Sequence, residues 1–227
     1  MADKKITDFD NKATPADADA LYLVQVSDST DKKVTASQLA TYVGTKLETT
    51  YTSGEVIETL TGMCNGQTVV GKSGSYTWPN VTAYTEVSST TYADLDGSEI
   101  TYTPPAGATK VVYKMTLHSS RYDSNPMLHY RFYIDSDEVT LARTTTRARD
   151  LREQRDIFEY VIEIGGTADA ATGRVASWTT PKTLKRQVRC YSTTLQGRVN
   201  ALYTWDGVTG GAAVQLVTPS LTITAIA

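Results

Sequence analysis

Cysteine and histidine are scarce in this 227-residue chain. Cys64 and Cys190 lie far apart, which excludes a disulfide scaffold, and they cannot form a zinc site by themselves. With only His118 and His129 present, few catalytic or metal schemes based on imidazole can be assembled. Neither sign of charge dominates. Lys and Arg number 22 against 25 Asp and Glu, a net charge of -3, whereas a dedicated nucleic-acid binder is usually strongly basic. No apolar run approaches the roughly 18 residues of a membrane span, so no membrane insertion is expected. Met1-Ala2-Asp3-Lys4-Lys5 leads into polar sequence without an apolar h-region, and no secretory signal is expected.

Threonine is abundant, with 37 residues, and so is tyrosine, with 14 against three Phe. Both fit a pleated, half-buried surface, and tyrosine keeps one end wet. Composition therefore points to a β-rich globular chain.

Residues 1–47 differ from the rest. Thr14-Pro15-Ala16-Asp17 is turn-like. Leu21 to Val26 reads as a strand and Ser27 to Asp31 as a turn. Thr35-Ala36-Ser37-Gln38 matches a capping box before Leu39, Tyr42 and Val43 at helical spacing. A small α/β module is expected. Residues 48–66 are expected to form a helical linker, with a short helix capped by Ser53 over about Gly54 to Cys64 and Val56, Ile57, Leu60, Met63 and Cys64 on one stripe. The stripe fits either packing on its own domain or a short seam between identical subunits.

From residue 67 to 227 the period changes to two. Val111, Tyr113, Met115 and Leu117 share one face. Leu128, Tyr130, Phe132 and Ile134 share another, with His129, Arg131 and Tyr133 opposite. Phe158, Tyr160, Ile162 and Ile164 repeat the scheme. Leu184, Val188 and Cys190 alternate with Lys185, Gln187, Arg189 and Tyr191, then Val199, Ala201 and Tyr203 follow, and Leu221 to Thr224 closes the series. About eight strands with Gly- and Pro-rich turns predict a mainly β chain ending in a β-sandwich, in its jelly-roll form.

Several constellations bear on chemistry. Gly66 to Ser73 satisfies G-x-x-x-x-G-K-S, the phosphate-cradling pattern. That chemistry needs a strand before the first Gly and a helix after the Lys. Gly74-Ser75-Tyr76-Thr77-Trp78-Pro79 cannot begin a helix, so the match is accidental. The acidic clusters Asp94 to Glu99 and Asp135 to Glu138 lack EF-hand spacing and read as Asx turns. Arg143, Arg147, Arg149, Arg152 and Arg155 crowd one segment with Asp150, Glu153 and Asp156. They form either a solvated edge or a contact for an acidic partner or a neighbouring subunit. Tyr76, Trp78, Tyr84, Tyr92, Trp178 and Trp205 offer either a sugar-stacking surface or buried packing. No nucleophile-elbow or zincin motif is present; no cofactor is expected, and no enzyme.

Lys5-Ile6-Thr7-Asp8-Phe9, Thr14-Pro15-Ala16-Asp17-Ala18-Asp19, Leu21-Tyr22-Leu23-Val24 and Lys32-Lys33-Val34-Thr35-Ala36-Ser37-Gln38-Leu39 resemble the N-terminal segment of tailed-phage fibre and virion structural proteins. Phe9 stands where that family usually has Leu. The stretch Ile100 to Tyr113, with Ile134 to Val139 and Thr172 to Trp178, is similar to C-terminal domains of marine-phage virion proteins. The resemblance implies a homotrimeric virion part, a tail fibre or head-decorating fibre. Residues 1–47 would dock on the particle through Ile6, Leu21, Leu23, Val34 and Leu39. Val56, Ile57, Leu60 and Met63 would hold the trimer, and residues 67–227 would form an outward knob. Other virion proteins and a host surface glycan are the expected partners. A carbohydrate-binding module and a polysaccharide-degrading enzyme are the alternatives.

Overall fold

The computed structural model describes residues 51–122, 125–147, 153–203 and 214–227 in full, and the backbone alone at 20–25, 30–35, 204 and 213. The chain divides into two compact units, Met1–Thr50 and Tyr51–Ala227. In the first, β1 (Ala20–Gln25) and β2 (Thr30–Thr35) form an antiparallel hairpin. Its register opposes Leu21 to Val34 and Leu23 to Lys32. The expected strand is present as β1, whereas Thr30 and Asp31 of the expected turn already belong to β2; the rest of that turn, Ile6, Leu39 and the capping-box helix lie outside the described residues.

The second unit is a mainly β sandwich. One sheet contains β3 (Val56–Met63), β18 (Ser220–Ile226), β9 (Lys110–Arg121), β15 (Gly197–Val199) and β6 (Thr85–Val87), with β13 (Glu153–Glu163) along the other edge of β9. The other contains β10 (Met127–Ile134) and β14 (Lys182–Cys190). It is flanked by β12 (Thr144–Arg147) and β11 (Asp137–Glu138) on β10, and by β8 (Ile100–Tyr102) and β7 (Ala93–Asp94) on β14. Two small hairpins, β4 (Thr68–Val70) with β5 (Ser75–Thr77) and β16 (Ala201–Thr204) with β17 (Ala213–Leu216), complete the strands.

The principal strands in chain order are β3, β8, β9, β10, β12, β13, β14 and β18. One sheet runs first, eighth, third, sixth; the other runs second, seventh, fourth, fifth. That interleaving of two four-stranded orders is a jelly roll, as the period-two pattern predicts.

The expected helix over residues 54–64 is instead strand β3. Spacing of i and i+4 satisfies the helical period and the strand period alike, so Val56, Leu60 and Cys64 could not tell them apart. Local chemistry decides for the strand. Val56, Ile57, Thr59 and Thr61 are β-branched and fit a pleated ladder. Thr61 faces Thr222 of β18 with hydroxyl oxygens 2.8 Å apart, and Thr59 faces Thr224 at 3.4 Å. The subunit-seam stripe accordingly does not exist as one face. Leu60 is buried in the core, Val56 and Met63 are exposed, and Ile57 is half-buried. Residues 51–66 belong to the sandwich unit rather than to a linker. The run Val199, Ala201, Tyr203 is likewise two strands. Asn200 adopts φ 58° between them, and its side-chain amide donates to the Asp96 carbonyl.

Burial alternates along the long strands, broken on β9 only where Ser119 and Ser120 are both buried. Val111, Tyr113, Met115 and Leu117 point inward from β9, and Leu128, Tyr130, Phe132 and Ile134 point inward from β10. Tyr113 and Phe132 meet across the sandwich with ring centroids 5.0 Å apart, and Phe158 of β13 lies 5.4 Å from Phe132. The Tyr113 hydroxyl donates to the Ser98 carbonyl at 2.7 Å. Trp78 and Trp178 are also buried, so they are core residues and offer no sugar-stacking surface; Trp205 lies outside the described residues.

Within this apolar layer sits a cation. Arg186 is 3% exposed, on the inward parity between Leu184 and Val188. Its guanidinium lies 4.1 Å from the Phe158 ring centroid and 4.5 Å from that of Tyr130. The backbone N–H of Arg186 donates to Ser98 Oγ, and one terminal nitrogen donates to Thr144 Oγ1. Asp156, buried on β13, is the carboxylate that faces it. Burial pushes the Asp156 carboxyl above the usual range, opposed by the Ser119 hydroxyl, which donates at 2.6 Å, and by Arg186 and His118.

Two outcomes test this packing. A methyl group added at Gly62 would stand 1.9 Å from the Trp78 indole nitrogen. Gly62→Ala is therefore expected to destabilise the protein by about 1–3 kcal/mol through overpacking, read from urea midpoints. Asp156 binds its proton more tightly folded than unfolded. Its contribution to stability is therefore full below the ordinary carboxylate pKa of about 3.9 and is lost as pH rises through the raised folded value. Urea midpoints of wild type relative to Asp156→Asn should fall between pH 4 and pH 7; a constant difference would contradict the assignment.

Candidate functional site

Alternation that fills the core also fixes what the outer face of the β10–β14 sheet carries. Residues of odd number on both strands point outward, and the register sets His129 opposite Arg189, Arg131 opposite Gln187 and Tyr133 opposite Lys185. On the flanking strand β12, Thr145 stands opposite His129 and Arg147 opposite Met127. The face thus gathers Arg131, Arg143, Arg147, Lys185 and Arg189, with Asp94 and Glu138 as the carboxylates. Among the described residues named here, five cations stand against two carboxylates.

Geometry holds these cations in place. Glu138 Oε1 accepts from Arg143 Nε at 2.6 Å and lies 3.3 Å from Arg131 Nε. The Arg143 hydrogen bond, then the Arg131 charge, hold the Glu138 carboxyl below its ordinary value against the cost of desolvation. The Tyr92 ring is flanked by two guanidiniums, Arg131 at 3.9 Å and Arg189 at 5.1 Å from its centroid. Asp94 accepts from Gln187 at 2.9 Å and from Lys185 at 3.1 Å, and its carboxyl is lowered by those bonds. Arg189 donates to the Cys190 carbonyl at 3.1 Å. Tyr191 is 56% exposed and lies 5.7 Å from the His129 ring. Such a face can present fixed donors and an aromatic edge to an anionic surface.

Only part of the expected arginine contact is here. Arg143 and Arg147 join the face. Arg155 lies on β13, on the outer face of the other sheet, and Arg149 and Arg152 lie outside the described residues. Arg131, Arg189 and Lys185 are the members that sequence reasoning did not place in a contact, although their outward parity was visible.

Acidic clusters are spent on the chain's own donors more than on Asx turns. Asp135 accepts from Lys182 Nζ at 3.0 Å and from the Thr183 N–H at 2.8 Å, and Asp96 accepts from Thr85 Oγ1 at 2.7 Å. The G-x-x-x-x-G-K-S segment is the β4–β5 hairpin, with a strand where a phosphate cradle needs a helix. Its Ser73 N–H and hydroxyl donate to Glu58 at 2.8 and 2.6 Å, and the Tyr102 hydroxyl donates to the same carboxylate at 2.8 Å. The loop cradles an anion, and the anion is the buried side chain of Glu58.

No protein-family model matches the chain, and no curated protein does. Among solved structures, a chain from the structure of infectious bursal disease virus, Gx strain, aligns over 92% of this chain at 9% identity and a TM-score of 0.30. The chain spans 47% of that neighbour's length. A TM-score of that size is too low to carry an argument about fold or role.

His129 reports on the face directly. Burial, then the neighbouring Arg189, pull its imidazole below the ordinary value of 6.5. An NMR titration should find the His129 midpoint below 6.5, moving upward in Arg189→Ala. A midpoint unmoved by that substitution would place Arg189 away from the ring.

Proposed function

We propose that this chain is a non-enzymatic structural component of a tailed-phage virion. Residues 1–50 attach it to the particle and the jelly roll of residues 51–227 is carried outward. The observation that carries this reading is the two-unit build. The segment whose residues resemble the phage attachment segment forms a compact unit of its own. Its β1–β2 hairpin opposes Leu21 to Val34, two of the proposed docking residues. Among the described residues, the sandwich unit has a hydrophobic core of its own, which suits it to stay folded while residues 1–50 are committed to a larger assembly.

Tail fibre and head-decorating fibre are both compatible with this reading. The three-fold seam is not part of it, since the helix it needed is strand β3. The outward contact is assigned to the β10–β14 face, whose excess cations and exposed Tyr191 suit the acidic groups of a host surface glycan. Arg rather than Lys predominates there, which favours bidentate recognition of carboxylate or sulfate.

The test is incorporation. Particles assembled without this protein, mixed with the full chain, should carry it through a density gradient. A chain lacking residues 1–50 should keep its thermal transition yet remain at the top of the gradient. Full occupancy by the shortened chain would overturn the reading.

A further inference from the structure

Among the described residues, β13 hydrogen-bonds to β9 along one edge only, over its whole length from Glu153 to Glu163. At its far end the other edge is occupied: the Val175 N–H donates to the Glu163 carbonyl at 3.0 Å, and Ile164 bridges Val175. From Glu153 to about Val161 that edge has no strand partner among the described residues. An open edge of this length offers a row of backbone donors and acceptors to another strand. Pro and Lys, two common edge protections, are absent from β13.

The outward side chains of β13 are Glu153, Arg155, Ile157, Glu159, Val161 and Glu163. Ile157 is 57% exposed and Val161 46%. Arg155 has no ion-pair partner in its own chain among the described residues. Glu159 has one, Lys114 at 3.2 Å, and both members of that pair are largely exposed. A second strand laid antiparallel on this edge brings directly opposed residues to the same face.

We propose that β13 pairs with β13 of a second copy of this chain, antiparallel about a two-fold axis at Ile157. The sequence singles out that register. Centred on Ile157, Arg155 of each copy opposes Glu159 of the other, giving two cross-strand ion pairs on either side of an Ile157–Ile157 contact. Centred on Glu159, the two Glu159 carboxylates meet at the axis. Centred on Arg155, the two guanidiniums meet there. Centred on Asp156 or Phe158, a glutamate opposes a glutamate and Arg155 opposes an apolar residue. Of the registers centred from Arg155 to Glu159, the Ile157 one alone pairs Arg155 with Glu159 and sets no like charges opposite each other, leaving Glu153 opposite Val161 at the two ends; a two-fold interface must be self-complementary. Two six-stranded sheets then become one continuous sheet, with backbone hydrogen bonds supplying the affinity and the charge pairs the register. The pairing is a property of the jelly-roll unit and does not rest on the virion reading.

Sedimentation equilibrium and light scattering on the full chain test it. The mass should rise with concentration from the 24.7 kDa of one chain to twice that value. Arg155→Glu alone, and Glu159→Arg alone, should each weaken the dimer by about tenfold or more, which is two cross-strand pairs turned from attractive to repulsive. The double variant Arg155→Glu with Glu159→Arg should restore it. All these positions are exposed, and circular dichroism of each variant confirms the fold. Independently, Ile157→Cys should give an inter-chain disulfide on mild oxidation, against a background of Cys64 and Cys190, both buried. A single-chain mass at every concentration, a trimer, a dimer indifferent to the charge exchange, or no 157–157 cross-link would each overturn the proposal.

Discussion

A guanidinium held between two sheets is the constraint around which this molecule is arranged. Arg186 enters the sandwich from β14, is 3% exposed, and lies over rings contributed by Tyr130 and Phe158. A charge taken out of water is costly unless it is compensated. Compensation comes from both layers: the Phe158 ring and the Asp156 carboxylate from one sheet, the Tyr130 ring from the other, and Thr144 from the flanking strand. Burial lowers the Arg186 pKa and raises that of Asp156, and the charge of each opposes the shift that burial imposes on the other. Apolar packing supplies the bulk of the cohesion around this point. The arginine adds a requirement that β13, β10, β14 and β12 be in register at once.

With the inner faces committed in this way, alternation leaves the outer faces to differ. The β10–β14 face gathers cations and tyrosines. On the β9–β18 face, Thr116, Thr222, Thr224, Thr59 and Thr61 lie beside Lys114 and Glu159, closer to neutral and rich in hydroxyls. The buried Glu58 belongs to the same economy. Its carboxylate is satisfied by Ser73 and Tyr102, and this pins the β4–β5 hairpin to the sandwich. A sequence pattern that elsewhere holds phosphate here serves internal architecture.

Most of the sandwich was legible in the sequence, and for a plain reason. Strands such as Val111–Leu117 and Leu128–Ile134 have one face wholly in the core, so period two is written into them without interruption. Over residues 54–64 apolar spacing of four residues suits helix and strand equally, and the structure there is strand β3. What decided was the pairing of Thr59 and Thr61 with Thr224 and Thr222, some 160 residues away. Arg186 and Asp156 are legible by parity, yet an inward charge contradicts the ordinary expectation for a core. The cationic face was half legible. Outward parity of Arg131 and Arg189 was visible, but their meeting over Tyr92 depends on strand order, and one sequence does not disclose that.

The central claim is that both sheets are locked into one cooperative body around Arg186. Native-state hydrogen exchange followed by NMR tests this most directly. The account predicts that the slowest amides of β9, β13 and β18 and those of β10 and β14 exchange with one common free energy, that of global unfolding. If the β10–β14 amides were to open at a clearly lower free energy while the β9 sheet stayed protected, the two layers would be separable and the account would fail.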